Sequence, residues 1–470
     1  DRETLLDMST HIFLLELRMM ARERAAWLLL ALFAGALSYG YWNGDQLAKR
    51  NSEAAETALK GSDDLWGEIR KHLEKPGQAI PVGGRGGIAM VGFLAQLPPA
   101  PLPVLATGQS DLVPASETVA LMRLTTPVDT RSEIENPSHL LAGRFDLAFV
   151  LIWLYPLFLL AFLYDLMAGD RETGTLRLAL SQGISPAGWL CRRTLARALP
   201  VVVIALAATL LAGSDGYGPR LGAALAVILL YGLFWATLAV AINAVSNSAA
   251  GAATSLGAAW VAIVLVAPTL LNLAAESLYP TPSRPELVAA SSQASGEAEK
   301  LGDELLDSFY KEHPELAPPD KRADYVAMKL TEQEEVARSV APVLEKFDKQ
   351  LLRQQQTVGR WRFVSPAIVA HEALTDIAGT GYWRHRAFRD QVKEFKHAIS
   401  AFYTPKAHRR EPLVLADIDK MPQFTFQEEP RSDWLARVST GLGGMLAFSA
   451  VIGCWALLSL RPRRLGAAIG

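Results

Sequence analysis

The densest group of reactive side chains in this sequence is Asp170-Arg171-Glu172-Thr173-Gly174-Thr175-Leu176. Its charged residues stand together, Gly174 turns the backbone, and Leu176, Leu178 and Leu180 follow at amphipathic spacing. Ser185-Pro186 then restarts a second short helix that leads to Arg192 and Arg193. A charged turn running into a helix along a membrane face suits docking and the receipt of force from an attached protein. An ordinary interhelical loop with a positive anchor has the same composition, so both readings stand at this level.

Other motifs offer less chemistry. Ser365, His371 and Asp376 carry the residue types of a hydrolase triad, but spacings of six and five along one helix do not converge, and no G-x-S-x-G elbow is present. His371-Glu372 lacks the second histidine four residues on that a zinc protease needs. His371, His385, His397 and His408 recur at no recognised ligand spacing, so surface or packing roles are expected and no metal is assigned. The run at 83–87, GGRGG, has no Lys-Ser/Thr ending, and the chain contains no G-x-x-x-x-G-K-[ST] phosphate loop. The sequence therefore assigns no catalytic, cofactor-binding or metal-binding residue to this chain.

The elements that must position the 170–176 cluster are apolar. Of 470 residues, 50% are hydrophobic, yet the mean hydropathy of +0.17 averages two unlike compositions. Six segments are long and uncharged enough to cross a hydrocarbon core about 30 Å thick. They are 25–42, 145–166, 195–213, 221–243, 249–273 and 434–460. Pro156 lies inside the second and is tolerable there if a neighbour satisfies the carbonyl it frees. Before the first span, residues 1–24 read as an amphipathic lead-in of the interfacial type. Two long polar inserts, 43–142 and 276–433, separate the spans. The first opens as a helix to about Glu74, turns Gly- and Pro-rich over 76–115, and has strand-like alternation at Glu117–Thr126. The second reads as helices over 285–312, 320–358, 364–378 and 382–403, the long one liable to break at Ala341-Pro342. Segment 364–378 reads either as a helix capping the outer end of the spans or as ordinary domain core. The expected fold class is thus an all-α polytopic membrane protein with about six transmembrane helices and a large, mainly helical extracytoplasmic domain with a minor β element.

Charge sets the orientation. The lead-in, the 165–197 loop and the 461–470 tail hold twelve arginines and no lysine. The positive-inside rule places those segments in the cytoplasm and both inserts outside. All fourteen lysines then lie in the inserts, a division for which we have no physical account. Neither insert contains a cysteine; Cys191 and Cys454 are expected as free thiols on or near the cytoplasmic side. The net charge of −2 gives no reason to expect nucleic acid.

The run DRETGTLRLALSQGISPAGWLCRR at 170–193 resembles the first cytoplasmic loop of ABC-2 type transporter permeases, where an acidic-x-x-Gly-Thr-Leu pattern follows the second span. LPPAPLPVLATGQSDLVP (97–114), NPSHLLAGRFDLAFV (136–150) and SPAIVAHEALTDIAGTGYWRHRAFRDQV (365–392) resemble a subgroup with large outer inserts. The resemblance implies a dimer-forming exporter subunit in the bacterial cytoplasmic (inner) membrane. Its partners would be separate ABC ATPase subunits, which bind the ATP and magnesium, and a second permease, identical or sister. Carried over by position, Asp170, Glu172, Gly174, Thr175 and Leu176 would meet the ATPase, flanked by Arg22, Glu23 and Arg24.

Ionisable groups are absent from the middle of the spans, which argues against ion-coupled transport. A path of that kind suits an amphipathic, peptide-like or lipid-like cargo, and uncharged spans equally suit helices that only pack against each other, where small residues such as those of AAGAATSLGAAW in the fifth span permit close approach. A rival reading is a non-transporting complex in which ATP hydrolysis drives the outer domain against an envelope partner.

Overall fold

The computed structural model describes residues 13–83, 87–111, 113–123, 144–176, 185–213, 218–317 and 325–460. A helix over 13–22 (α1) meets α2 (Arg24–Leu73) at Glu23, whose backbone is extended. α2 is one helix of 50 residues. Its first half is apolar. Its second half carries the Asp45–Lys49 and Glu56–Lys60 ion pairs at 2.6 and 2.7 Å, with the acid four residues ahead of the base, the order that favours a helix. Arg70, Lys71 and His72 in the last turn complement the helix dipole.

Two short antiparallel strands follow, β1 (Gly92–Gln96) and β2 (Ser116–Ala120), with Leu94 opposite Thr118. β2 takes up the start of the expected strand at Glu117–Thr126, whereas β1 falls in a stretch read as Gly- and Pro-rich. Its only sequence signal is the alternation that buries Phe93 and Ala95.

The second apolar helix, α3, runs from Leu147 to Leu163 with a wide π turn at Val150–Leu154. Pro156 has no N–H to give the Ile152 carbonyl, and the Tyr231 hydroxyl donates to that oxygen at 2.9 Å instead. A five-residue helix, α4 (Ala168–Glu172), follows. The next three helices are α5 (Pro186–Ala212), α6 (Gly218–Val245) and α7 (Ala249–Leu278). α5 is continuous from Pro186, so the second short helix expected after Ser185-Pro186 is instead the first turns of the third span. Leu178 and Leu180 lie outside the described residues, as do Arg461, Arg463 and Arg464. α7 contains a second π turn, Val261–Val266, ahead of Pro268. There the Ser365 hydroxyl donates to the Ile263 carbonyl at 2.6 Å.

The second insert holds α8 (Arg284–Lys300), α9 (Gly302–Glu312), α10 (Tyr325–Trp361), α11 (Pro366–Ala378), α12 (Tyr382–Arg409) and the short α13 (Leu415–Ile418). The helix expected over 285–312 is broken at Leu301. The chain passes close to α10 at this break: a Cβ on Gly302 would lie 2.7 Å from Glu332 Oε1. α10 passes through Pro342 without a break, because Pro342 lies on the exposed face, where water can reach the carbonyl that loses its donor. The last helix is α14 (Arg431–Ser459).

Two main cores result. The larger lies among α2, α3, α5, α6, α7, α11 and α14, around the buried Tyr155, Tyr231 and Trp235. Gly232 lets the Tyr155 ring cross α6: a Cβ there would sit 2.2 Å from the Tyr155 hydroxyl oxygen. The second core joins the end of α2 to the two strands, the start of α10, α12 and α13.

In the second core His385 is 1% exposed, with Nδ1 3.1 Å from the Gly381 carbonyl. Burial holds its imidazole below the ordinary range, against the pull of the Gly381 bond, with Arg384 and Arg389 adding to the depression. Well above about pH 6.5 the residue is neutral in both folded and unfolded chains. Below that the unfolded chain takes up a proton that the folded chain refuses, so stability falls as the pH drops. The fall in melting temperature between pH 7.5 and 5.5 is expected to be smaller in His385→Asn than in the wild type. An equal fall in both would remove His385 from the acid sensitivity.

Candidate functional site

The 170–176 cluster lies at one end of the larger core, where six segments are joined by polar contacts. α3 ends at Leu163, and its last carbonyls need donors from elsewhere. Asn243, fully buried near the end of α6, supplies one: its Nδ2 donates to the Leu163 carbonyl at 3.0 Å and to the Ala239 carbonyl at 2.9 Å. Its Oδ1 accepts from the backbone N–H groups of Leu166 and Met167 at 3.0 and 3.3 Å. From α5, Arg197 donates to the Asp165 carbonyl at 2.9 Å and Arg193 to the Leu166 carbonyl at 2.8 Å. The turn between α3 and α4 is therefore capped by side chains of α5 and α6.

Arg193 also pairs with Asp170 on α4 and places its Nε 2.9 Å from Glu16 Oε1 on α1. Arg197 Nε donates to the other oxygen of Glu16, also at 2.9 Å. Arg193 is 9% exposed and Glu16 5%, so this is a buried three-element ion cluster rather than a surface pair. On α4, Arg171 donates to the Ala244 carbonyl at 3.0 Å and to that of Ser246, both at the end of α6. Glu172 accepts from the backbone N–H of Ala249 at 3.2 Å, in the first turn of α7, where a carboxylate is favoured.

The predicted site residues divide into two groups. Asp170, Glu172, Gly174, Thr175 and Leu176 come together. Thr175 Oγ1 donates to Asp170 at 3.1 Å, Gly174 has φ +76, and Leu176 is buried. Glu172, Thr173, Gly174 and Thr175 are exposed. Arg22, Glu23 and Arg24 also have exposed side chains, at the junction of α1 and α2. The lead-in reaches the turn through Glu16, which sequence reasoning missed together with the pairing of Arg193 and Arg197. Two signals were present: Glu16 is the one acid in the apolar run 12–20, and Arg193 and Arg197 share a helix face at i, i+4.

A second polar cluster forms where the bundle meets the second core. Arg437 of α14 donates to Asp376 at 2.8 Å and, through both Nη atoms, to Glu429 at 3.0 and 2.7 Å. Arg220 of α6 donates to the carbonyls of Asp376 and Ile377 at 3.1 and 2.8 Å, capping α11. Arg384 holds Glu428 and the carbonyls of Gly379 and Pro98. Ser365 and Asp376 are thus occupied as a cap and an ion-pair partner rather than assembled with His371. Segment 364–378 is part of the larger core: Ala367, Val369, Ala370, Leu374 and Ile377 of α11 are buried there.

Between the two clusters an aromatic row runs down α3. Tyr39 meets Phe145 at 5.4 Å between ring centroids, Phe145 meets Phe149 at 5.0 Å, and Phe149 stacks on Trp153 at 5.5 Å. Trp260 of α7 donates to the Trp153 carbonyl at 3.2 Å. Phe145, Phe149 and Trp153 are half-buried.

The chain is a helical protein with, among the described residues, six helices long and apolar enough to cross a membrane: α2, α5, α6, α7, α14 and the segment Leu147–Glu172. A family model described as "Domain of unknown function (DUF3526)" matches residues 284–427, the stretch from α8 through α13. No curated protein and no solved structure matches the chain.

Proposed function

We propose that this chain is the membrane permease subunit of an ABC exporter driven by separate ATPase subunits. The observation that carries the reading is the 168–176 turn. Its outward residues Glu172 to Thr175 are exposed, while Asp170, Arg171 and Glu172 are tied to α5, α6 and the start of α7. A push on that turn would reach three apolar helices at once. In this reading both termini and the turn face the cytoplasm, the two inserts lie outside a bacterial inner membrane, and a second permease completes the path. ATP and magnesium belong to the partner. The half-buried row Phe145, Phe149 and Trp153 supports an amphipathic, peptide-like or lipid-like cargo, since aromatic faces bind apolar groups without fixing their identity.

A mechanical reading, in which the outer domain acts on an envelope partner, is favoured by one observation. α2 does not stop where its apolar segment ends but continues as the same helix into the second core.

The test is purification of the tagged chain from its native membrane, with the co-purifying proteins assayed for an ABC ATPase. Wild type is expected to hold the ATPase and to support vanadate-sensitive hydrolysis. Glu172→Ala and Gly174→Pro are expected to lower complex yield at least about tenfold, equivalent to about 1.4 kcal/mol. The proline variant cannot adopt the positive φ at 174. If wild type holds no ATPase, or both variants behave as wild type, the permease reading loses its support.

A further inference from the structure

α2 is held in three places and largely exposed from Lys49 to Leu65. Its first part is packed in the larger core through Ala26, Phe33 and Leu37. Next comes a tight crossing. A Cβ on Gly40 would lie 2.8 Å from the Asp146 carbonyl oxygen, and one on Gly44 would lie 2.9 Å from that of Val104. Asn43 Nδ2 donates to the Phe145 carbonyl at 2.8 Å in the same place. Beyond Gly44 no residue of α2 is buried until Leu73. At the far end Trp66 packs against Phe93 with ring centroids 5.0 Å apart, Arg70 pairs with Asp419, and Leu73 enters the second core.

A largely exposed connection between two cores needs no regular structure; a flexible tether would join them equally well. This one is instead a continuous helix without proline, reinforced by two i, i+4 ion pairs. On its other side the second core is fixed to the bundle by Arg437, Arg220 and Arg384 around α11 and residues 428–429. One side is therefore pinned and the other is carried on a rod.

We propose that α2 is a lever whose fulcrum is the glycine crossing at Gly40 and Gly44. At 1.5 Å per residue the arm from Arg24 to Gly40 is about 24 Å and the arm from Gly44 to Leu73 about 44 Å. A small tilt in the bundle is magnified at the second core, which turns against its pinned side. The inference stands on the geometry of α2 and needs no ATPase.

The test uses the full chain in lipid nanodiscs with Cys191→Ser and Cys454→Ser. Spin labels go at Lys71→Cys and Asp433→Cys, both exposed positions. Pulsed EPR reads the distance between the far end of the rod and the start of α14. Gly40→Leu forces the rod away from the Asp146 carbonyl and is expected to shift the mean distance by several ångströms. In an Ala58→Pro background, where the exposed arm is broken, the same substitution is expected to leave the distance unmoved. Gly44→Ala provides a milder displacement if Gly40→Leu does not fold. A folded fulcrum variant with no shift overturns the lever, as does a shift of the same size in the broken-rod background.

Discussion

Arg193→Leu is expected to cost the folded chain about 2–4 kcal/mol, with loss of the order around the 168–176 turn. Removing one partner of a buried ion pair costs about 3–5 kcal/mol, because the charge left behind has neither water nor a counter-ion. Here Arg193 serves Glu16, Asp170 and the Leu166 carbonyl together. The figure is set below the full range for two reasons: Arg197 continues to pair with Glu16, and the Asp170 side chain, 29% exposed, can recruit water. Thermal unfolding in detergent should show the loss, and a double-mutant cycle with Glu16→Gln should return a coupling of about 1–3 kcal/mol. If Arg193→Leu melts with the wild type, or the two substitutions are additive, the cluster does not hold the lead-in to the turn. Arg193→Lys should recover only part of the loss, since an ammonium cannot span three acceptors as a planar guanidinium does.

Asn243→Leu is expected to be comparably damaging, at about 2–3 kcal/mol, for a different reason. Leucine fills the space, but the N–H groups of Leu166 and Met167 and the carbonyl of Leu163 lose their partner inside a buried turn. Each unsatisfied buried group costs about 1–3 kcal/mol in a protein interior. The sum is held down because a helix loosened within a bilayer finds alternative partners. Asn243→Asp separates the contributions: it keeps the acceptor for the two N–H groups and loses the donor. Amide hydrogen exchange at Leu166 and Met167 provides the local reading. Protection there should fall in the leucine variant and persist in the aspartate variant, and unchanged protection in both would show that Asn243 does not cap the turn.

The sequence revealed both residues but not their partners. Arg192 and Arg193 stood out as a positive anchor and Asn243 as a polar residue in an apolar span. What each binds did not, because the partners lie in distant segments: Glu16 is 181 residues from Arg197, and Leu163 is 80 from Asn243. Spacing rules read one helix at a time, and these contacts exist only where helices cross.

Composition and periodicity by themselves determined the six apolar helices, the helical second insert and the position of the charged turn at 170–176. Those features follow from local physics: an uncharged run long enough to cross hydrocarbon, a 3.6-residue repeat, and a glycine where the backbone must take a positive φ. Tertiary structure decided three others. It joined the first apolar span and the helix read over the start of the first insert into one continuous α2, whose far end is fixed by a core assembled from β1, α12 and α13. It drew α11 into the bundle, where the Ser365 hydroxyl serves a carbonyl of α7 and Arg220 caps the far end. And it turned Glu16 inward against two arginines. In each case the deciding energy is the satisfaction of a buried polar group or the docking of a distant apolar surface, and neither is written into the residues nearby.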